Sequence, residues 1–441
     1  MKYINTLNYN VIIDKIFLLL LILLPLSFQI GILITEILFN VSIFLSIYIF
    51  FRDKLVIDKF FFYFFVIFYL YFVVSNLINF YYFQHNVDLT KVFSYFRFFL
   101  FFLLVKEILN IEDVYKILKY NLYLICFLLL DIIFQKILGE NILGYKTIEN
   151  RSSGFFGEEL IAGSYISKIC FPLIIFFHFF LDTKKRNYLF ILIILLINVV
   201  IFFTGERAAL FSFYVMIFFS IFLLTNLRKS LFIYLTFILI ISLIIINLAP
   251  SKLGRLNEIQ KTFFDKDYIL KTNAGLKEID KIQDNFTSKI IYILKSSKHL
   301  YLFNTSKNIW IENKIIGSGI KTFRYECSKE KYQIGNIENL CSTHPHNYYF
   351  EILAELGIIG LLFFIFLIFL IINRYLIFYR KKLNSRSFYI YSSFFLTFLS
   401  YLFILTSGRF FSNWISIIFW LNLTLMFSFE KNFYDQSKIK K

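Results

Sequence analysis

From position 343 to 360 the sequence reads Thr-His-Pro-His-Asn-Tyr-Tyr-Phe-Glu-Ile-Leu-Ala-Glu-Leu-Gly-Ile-Ile-Gly. A polar run with two imidazoles passes directly into an apolar stretch of membrane-spanning character. His346 and Asn347 fall at or just before the start of that helix, where the positive end of its dipole disfavours imidazolium. A neutral histidine at that depth is equipped to take a proton from a hydroxyl group. Two other roles suit the same residues: His346 as an interfacial helix cap, or His344 and His346 as metal ligands. No carboxylate or cysteine set stands at ligand spacing beside them, so no metal is expected. Asn347, Glu351 and Glu355 recur one turn apart on one helix face. Carboxylates inside a span are costly, so they either serve the chemistry or pair with a structural arginine.

The second chemically suggestive place is Thr204-Gly-Glu-Arg207, a tight turn between two long apolar blocks. An arginine there sits near the hydrocarbon boundary, and its planar fork suits bidentate binding of phosphate. Snorkelling to lipid headgroups is the competing role, and Glu206 beside it is a possible simple partner. Two further polar segments, 139–159 with Arg151-Ser-Ser-Gly-Phe-Phe-Gly157 and Thr406-Ser-Gly-Arg409, also precede apolar blocks. Helices that begin there point free N–H groups and positive dipole ends at one interface, which favours anions.

The elements that must position these residues are transmembrane helices. The chain has 441 residues, 59% of them hydrophobic, arranged in blocks of span length rather than in the mixed pattern of a soluble core. The fold class expected is an all-α polytopic membrane protein with about twelve transmembrane helices, at 16–30, 32–51, 60–82, 93–109, 119–138, 160–181, 188–204, 208–225, 230–249, 348–373, 387–406 and 411–428. The abundance of Phe (62) and Tyr (30) reads as compositional bias and lipid-facing bulk. The first block, Phe17 to Ile30, lacks a small-x-small cleavage site and is read as a retained helix.

A net charge of +17 raises nucleic acid as a partner, but the cations sit in short tracts between apolar blocks, and none is expected. A cytoplasmic N-terminus puts Arg52/Lys54/Lys59, Lys116/Lys119, Lys184 to Arg186, Arg228/Lys229, Arg374 to Arg386 and the C-terminal lysines on the cytoplasmic side. Only scattered cations such as Lys91, Lys146, Arg151, Arg207 and Arg409 face outward. Three units follow: helices one to nine over 1–249 with the arginine turn 204–210, a large periplasmic loop over 250–345, and helices ten to twelve with a cytoplasmic tail over 346–441. Cys126 and Cys170 fall inside spans, whereas Cys327 and Cys341 lie in the outside loop. An oxidising compartment favours a disulfide there, stabilising by ~3 kcal/mol in the chain-entropy model, with two free thiols as the alternative.

These residues resemble the bacterial O-antigen ligase and O-antigen polymerase superfamily of membrane glycosyltransferases. The ligase signature is a histidine and a small polar residue, nine variable positions, Gly, two positions and Gly; His346-Asn347, Gly357 and Gly360 fit it. Gly205-Glu-Arg207-Ala-Ala-Leu210 is similar to the family's arginine turn. Ile316-Gly-Ser-Gly319 resembles its segment ahead of the histidine motif, and Arg151 to Gly157 resembles its Arg-x-x-Gly-x-Phe-Gly stretch. Where many members have an arginine ahead of the glycine pair, this chain has Lys298-His299, so Lys298, His299 and Arg324 are candidates for a second phosphate-binding cation.

The resemblance implies a GT-C-like fold in the bacterial inner membrane and a donor glycan on undecaprenyl diphosphate. His346 is then the base, Arg207 and Arg151 bind pyrophosphate, and Asn347, Glu355, Gly357 and Gly360 support the site, with inversion and neither metal nor cofactor. The implied acceptor is lipid A–core for a ligase or a nascent glycan for a polymerase, with membrane lipid around both. A lipid-linked sugar flippase is the alternative of another class, since Arg97, Asp131 and Lys168 are charges inside spans. No internal repeat of the kind common in transporters is present.

Overall fold

The computed structural model describes residues 2–180, 186–248, 298–332, 341–380, 385–402 and 408–439. Ten helices come first: α1 (Lys2–Ile30), α2 (Ile32–Arg52), α3 (Lys59–Tyr81), the short α4 (Leu89–Ser94), α5 (Phe96–Ile108), α6 (Ile111–Leu138), α7 (Ala162–Phe180), α8 (Arg186–Phe203), α9 (Arg207–Leu223) and α10 (Arg228–Leu248). Beyond 249–297, which lies outside the described residues, come α11 (Lys298–Glu312), α12 (Phe323–Glu326), α13 (Tyr348–Arg380), α14 (Ser385–Leu399) and α15 (Asn413–Ile439). No strand forms among the described residues.

Each of the twelve apolar blocks overlaps a helix, with 181, 249 and 403–406 outside the described residues, but by length and composition seven helices rather than twelve can cross a bilayer among the described residues: Tyr9–Ile30 within α1, then α2, α3, α6, α7, α8 and α13. The count is eight if α9 and Thr225–Ile238, bent by 107° at a short break, form one span. Several boundaries differ from the hydropathy reading. The block at 93–109 is divided at Tyr95 into α4 and α5, and α5 with 13 residues rises only about 20 Å. Lys116 lies within α6 rather than before it, because a capping box between Asn110 and Asp113 starts that helix upstream. Part of the large loop is helical, and α11 packs along α13.

Ion pairs gather the helix ends at one pole of the bundle. There Asp58 meets Lys106 (3.6 Å) and Arg374 (3.7 Å), Lys431 meets Glu107 (2.9 Å), and Arg52 meets Asp14 (2.8 Å). At the other pole the loops touch one another: His85 Nδ1 lies 2.9 Å from Glu326, Lys321 Nζ 3.1 Å from Asp88, and Lys91 donates to Asn413 at 3.2 Å. The histidine and arginine segments lie at this second pole.

The element that organises the second pole is a break inside α13. Gly357 has φ 66 and ψ −167, so the helix stops and restarts there. The backbone groups this releases find partners in the segment 314–319. Ser318 N–H donates to Ala354 O (2.9 Å) and Gly319 N–H to Glu355 O (2.9 Å), while Ile358 N–H donates to Lys314 O (2.9 Å). The Tyr71 hydroxyl of α3 donates to Leu356 O. A Cβ on Gly317 would stand 2.3 Å from Glu355 C, and one on Gly357 2.3 Å from Ile315 O. The glycines of Ile316-Gly-Ser-Gly319 and of the histidine motif are thus two sides of one backbone contact.

Gly357→Ala is expected to cost more than about 2 kcal/mol, since the left-handed φ penalty adds to a clash with main chain that cannot yield. Gly144→Ala, at φ +83 with nothing within 4 Å, carries the φ penalty alone. Thermal unfolding of the two purified variants in detergent checks this, and an equal loss in both contradicts it.

Candidate functional site

The histidine motif is held from both sides. Asn347 Oδ1 accepts the N–H groups of Tyr349 (3.0 Å) and Phe350 (3.2 Å) and so caps α13. His346 just before it takes a left-handed backbone conformation, φ 58, which costs ~1–2 kcal/mol for a residue with a Cβ. Its Nε2 lies 3.3 Å from the Ser342 hydroxyl. Upstream, a disulfide joins Cys341 to Cys327 (Cα–Cα 5.4 Å) and ties this segment to the turn after α12.

Three imidazoles meet here. The His346 ring centroid is 4.0 Å from that of His344 and 5.3 Å from that of His299. His299 arrives on the first turn of α11, and one turn further along both helices Phe303 stacks on Phe350 at 4.8 Å. Burial holds His346 below the ordinary imidazole range, and neighbouring His299 adds to the effect. His299 is lowered by burial and then by the Arg207 charge. His344 is pushed down to about 3 by burial, His346, Arg409 and Arg324. All three rings are therefore neutral near pH 7.

The arginine turn is fixed by residues other than Arg207. Gly205 has φ +67 and faces the Arg151 side chain. Arg151 Nε donates to Thr204 O (2.8 Å) and Nη2 to Leu160 O (3.3 Å). Glu206 does not pair with Arg207: its carboxylate accepts Gly163 N–H (2.7 Å), Ser164 N–H (3.1 Å) and the Ser164 hydroxyl at the start of α7. It caps that helix, and burial raises its pKa against those donors. Arg207 opens α9 as an exposed residue, with no carboxylate within salt-bridge distance among the described residues.

Glu351 and Glu355, both fully buried, hold the other loops onto α13. Glu351 accepts Arg409 Nε (3.2 Å) and Phe410 N–H (2.7 Å). Glu355 accepts Lys321 N–H (2.8 Å) and Phe323 N–H (3.4 Å) and lies 3.8 Å from Arg409 Nη2. The face of Asn347, Glu351 and Glu355 is thus a cap followed by two staples. The pairing with a structural arginine is the reading the geometry favours for Glu351, and its partner is Arg409, which the sequence showed as a scattered cation in a polar segment ahead of a helix.

His346 and His299 come together, with the Arg207 charge acting on His299 and that of Arg324, exposed on α12, acting on His344. Lys298 opens α11, and its side chain lies outside the described residues. Gly360 sits where a Cβ would meet Leu356 Cβ at 2.3 Å, as the restart of α13 requires. Sequence reasoning missed His344 as a member of the cluster; its signal was the pair of imidazoles flanking Pro345. The charges inside spans are taken up structurally. Arg97 Nη2 donates to Glu36 (3.1 Å), Asp131 accepts Asn141 Nδ2 and Ile142 N–H (both 3.1 Å), and Lys168 Nζ lies 5.3 Å from the Tyr401 ring centroid.

Folded His344 titrates near 3, whereas an unfolded imidazole titrates near 6.5. Between those values the unfolded chain binds the extra proton, so stability is full above the window and falls as pH drops through it. The melting temperature is expected to fall further between about pH 7 and about pH 5 in the wild type than in His344→Asn. Parallel curves for the two proteins contradict a neutral buried His344.

Residues 189–365 match the family model described as O-antigen ligase. No curated protein matches the chain.

Proposed function

We propose that the chain, whose residues 189–365 match the family model described as O-antigen ligase, is a membrane glycosyltransferase of the ligase type that moves a glycan from undecaprenyl diphosphate to a hydroxyl of lipid A–core. In this reading the pole carrying the histidines faces the periplasm, the ion-paired pole faces the cytoplasm with both termini, and the host membrane is the bacterial inner membrane. The observation that carries the reading is the neutral His346 ring at the start of α13, clustered with His299, on which the Arg207 charge acts.

The reaction asks three things of this chain. Arg207, fixed by a turn that Arg151 and Glu206 hold rigid, binds the pyrophosphate through its planar fork, with Arg324 as a second cation. His346 removes the proton from the acceptor hydroxyl as that oxygen attacks the anomeric carbon. The bond from the anomeric carbon to the pyrophosphate oxygen breaks with inversion, and undecaprenyl diphosphate leaves as an anion stabilised by the arginines and by helix N-termini. The proton on His346 is then lost to solvent or to the departing diphosphate. The ligase form is favoured over the polymerase by the full fit of His346-Asn347, Gly357 and Gly360 to the ligase spacing. The structural pairing of Arg97 and Asp131 supports an enzyme over a flippase.

His346→Ala is expected to lower transfer by ~100-fold or more while membrane insertion stays normal; near wild-type transfer rejects His346 as the base. Arg207→Lys is expected to lose at least ~10-fold, because an ammonium cannot form the fork; full activity returns Arg207 to a lipid-snorkelling role. The glycan profile of an envelope extract from a deletion strain, resolved by gel beside wild-type and His346→Ala complements, tests the reaction. Loss of capped lipopolysaccharide with long lipid-linked chains accumulating identifies the ligase. Cores capped by a single repeat identify a polymerase, and an unchanged profile overturns the proposal.

A further inference from the structure

At the pole that carries the histidines, α1, α6, the segment 143–161 and the start of α15 enclose a recess of about 500 Å³. Trp414, on the first turn of α15, follows Asn413, which takes the Lys91 hydrogen bond at that pole. Aromatic rings form much of the wall: Trp414, Tyr145, and the stacked pair Phe127 and Phe155, whose centroids lie 5.3 Å apart. Polar groups stand among them. Glu159 is exposed, with no cation within salt-bridge distance among the described residues. Gln29, 8% exposed on the last turn of α1, leaves its Oε1 without a hydrogen-bond partner among the described residues. No lysine or arginine is among the described residues of the lining.

The wall is held in place from α6. Asn141 Oδ1, itself tied to that helix through Asp131, accepts the Tyr145 N–H (2.8 Å). Gln135 of α6 donates to Tyr145 O (3.0 Å) and accepts the Gly154 N–H (2.8 Å) beside Phe155. The Tyr145 ring lies over Gly157, where a Cβ would stand 3.3 Å from it. The same segment holds the arginine turn, through Arg151 at Thr204 O and through Ser152 N–H at Phe203 O (3.0 Å). One piece of chain therefore positions both the recess and the turn that carries Arg207.

The lining selects against two kinds of ligand. A phosphate would meet a carboxylate and no described cation. An acyl chain would cover the Glu159 carboxylate and the Gln29 amide and leave them without partners. A pyranose suits both halves of the wall: its C–H faces pack on aromatic rings, and its hydroxyls donate to carboxylate and amide oxygens. An interfacial aromatic belt asks only that rings face lipid headgroups, whereas here rings from α6, α15 and the segment between α6 and α7 converge on one recess. We propose that this recess binds a neutral sugar residue. That chemistry stands on the lining alone; the two sources of such a sugar, the glycan of the lipid-linked donor and that of the acceptor, rest on the transfer reading.

The test uses the full chain in detergent and two phosphate-free probes from the host envelope. One is glycan released by mild acid from the lipid-linked pool, and the other is dephosphorylated core oligosaccharide from lipopolysaccharide. Titration calorimetry reads binding without turnover, so the result stands apart from the role given to His346. Wild type is expected to bind at least one probe, and each probe that binds names its source. Trp414→Leu, which keeps an apolar wall, is expected to bind at least about tenfold more weakly, and Trp414→Phe, which keeps a ring, to stay within about threefold of wild type. Glu159→Ala, at an exposed position, removes a charged acceptor and is expected to weaken binding at least about fivefold. Binding of neither probe, wild-type binding by Trp414→Leu or by Glu159→Ala, or equal loss in Trp414→Phe and Trp414→Leu overturns the proposal. Displacement of the sugar by millimolar inorganic phosphate also overturns it, since the recess then takes an anion.

Discussion

A helix in hydrocarbon cannot be interrupted unless every backbone group it releases finds a partner inside the protein. α13 is interrupted at Gly357, and the carbonyls of Ala354, Glu355 and Leu356 and the N–H of Ile358 are taken up by Ser318, Gly319, Tyr71 and Lys314 respectively. This requires the segment 314–319 to lie against the helix at backbone contact distance, which Gly317 facing Gly357 permits. Once that segment is docked, α11 is drawn alongside α13, and His299 comes over His346. The imidazole cluster is a consequence of how the broken helix satisfies its backbone.

The buried charges around the break act as fasteners. Glu355 holds the N–H groups of Lys321 and Phe323, Glu351 holds Arg409 and Phe410, and Glu206 holds the start of α7. Each carboxylate accepts two or more donors, and Glu351 is within 3.2 Å of a guanidinium, which is how a membrane-buried acid is kept tolerable. Because Glu206 is committed to the start of α7 and Glu351 to Arg409 and Phe410, neither pairs with Arg207. The positive field over the histidines survives for that reason.

How far the sequence revealed this depends on the kind of signal. Span-length apolar blocks are a one-dimensional property, so helix positions were legible, and a polar-to-apolar junction placed Asn347 as the start of α13. Where a helix begins within a polar run, as α6 does at its Asn110 and Asp113 capping box, hydropathy placed the start too late. The residues Gly357, Gly360 and Ile316 to Gly319 were found as separate motifs, but nothing in their spacing says that they touch. Partner choice was least legible: Glu206 stands beside Arg207 in sequence, yet the turn points it at Gly163 and Ser164, and Arg409 reaches Glu351 across 58 positions. Adjacency along the chain was a poor guide wherever a tight turn reverses side-chain direction.

The electrostatics bear on the proposed reaction in one more way. The histidines are less basic than ordinary imidazoles, first through burial and then through cationic neighbours such as Arg207 at His299 and Arg409 and Arg324 at His344. A weak base is poorly matched to a sugar hydroxyl. A pyrophosphate bound at Arg207 would bring negative charge next to His299 and cancel the part of the depression that the arginine causes. His346, whose ring lies 5.3 Å from that of His299, would carry its own proton more easily with that anion nearby. Under the proposed chemistry the donor therefore strengthens the base that acts on the acceptor, and the proton is removed only when a leaving group is in place to use it.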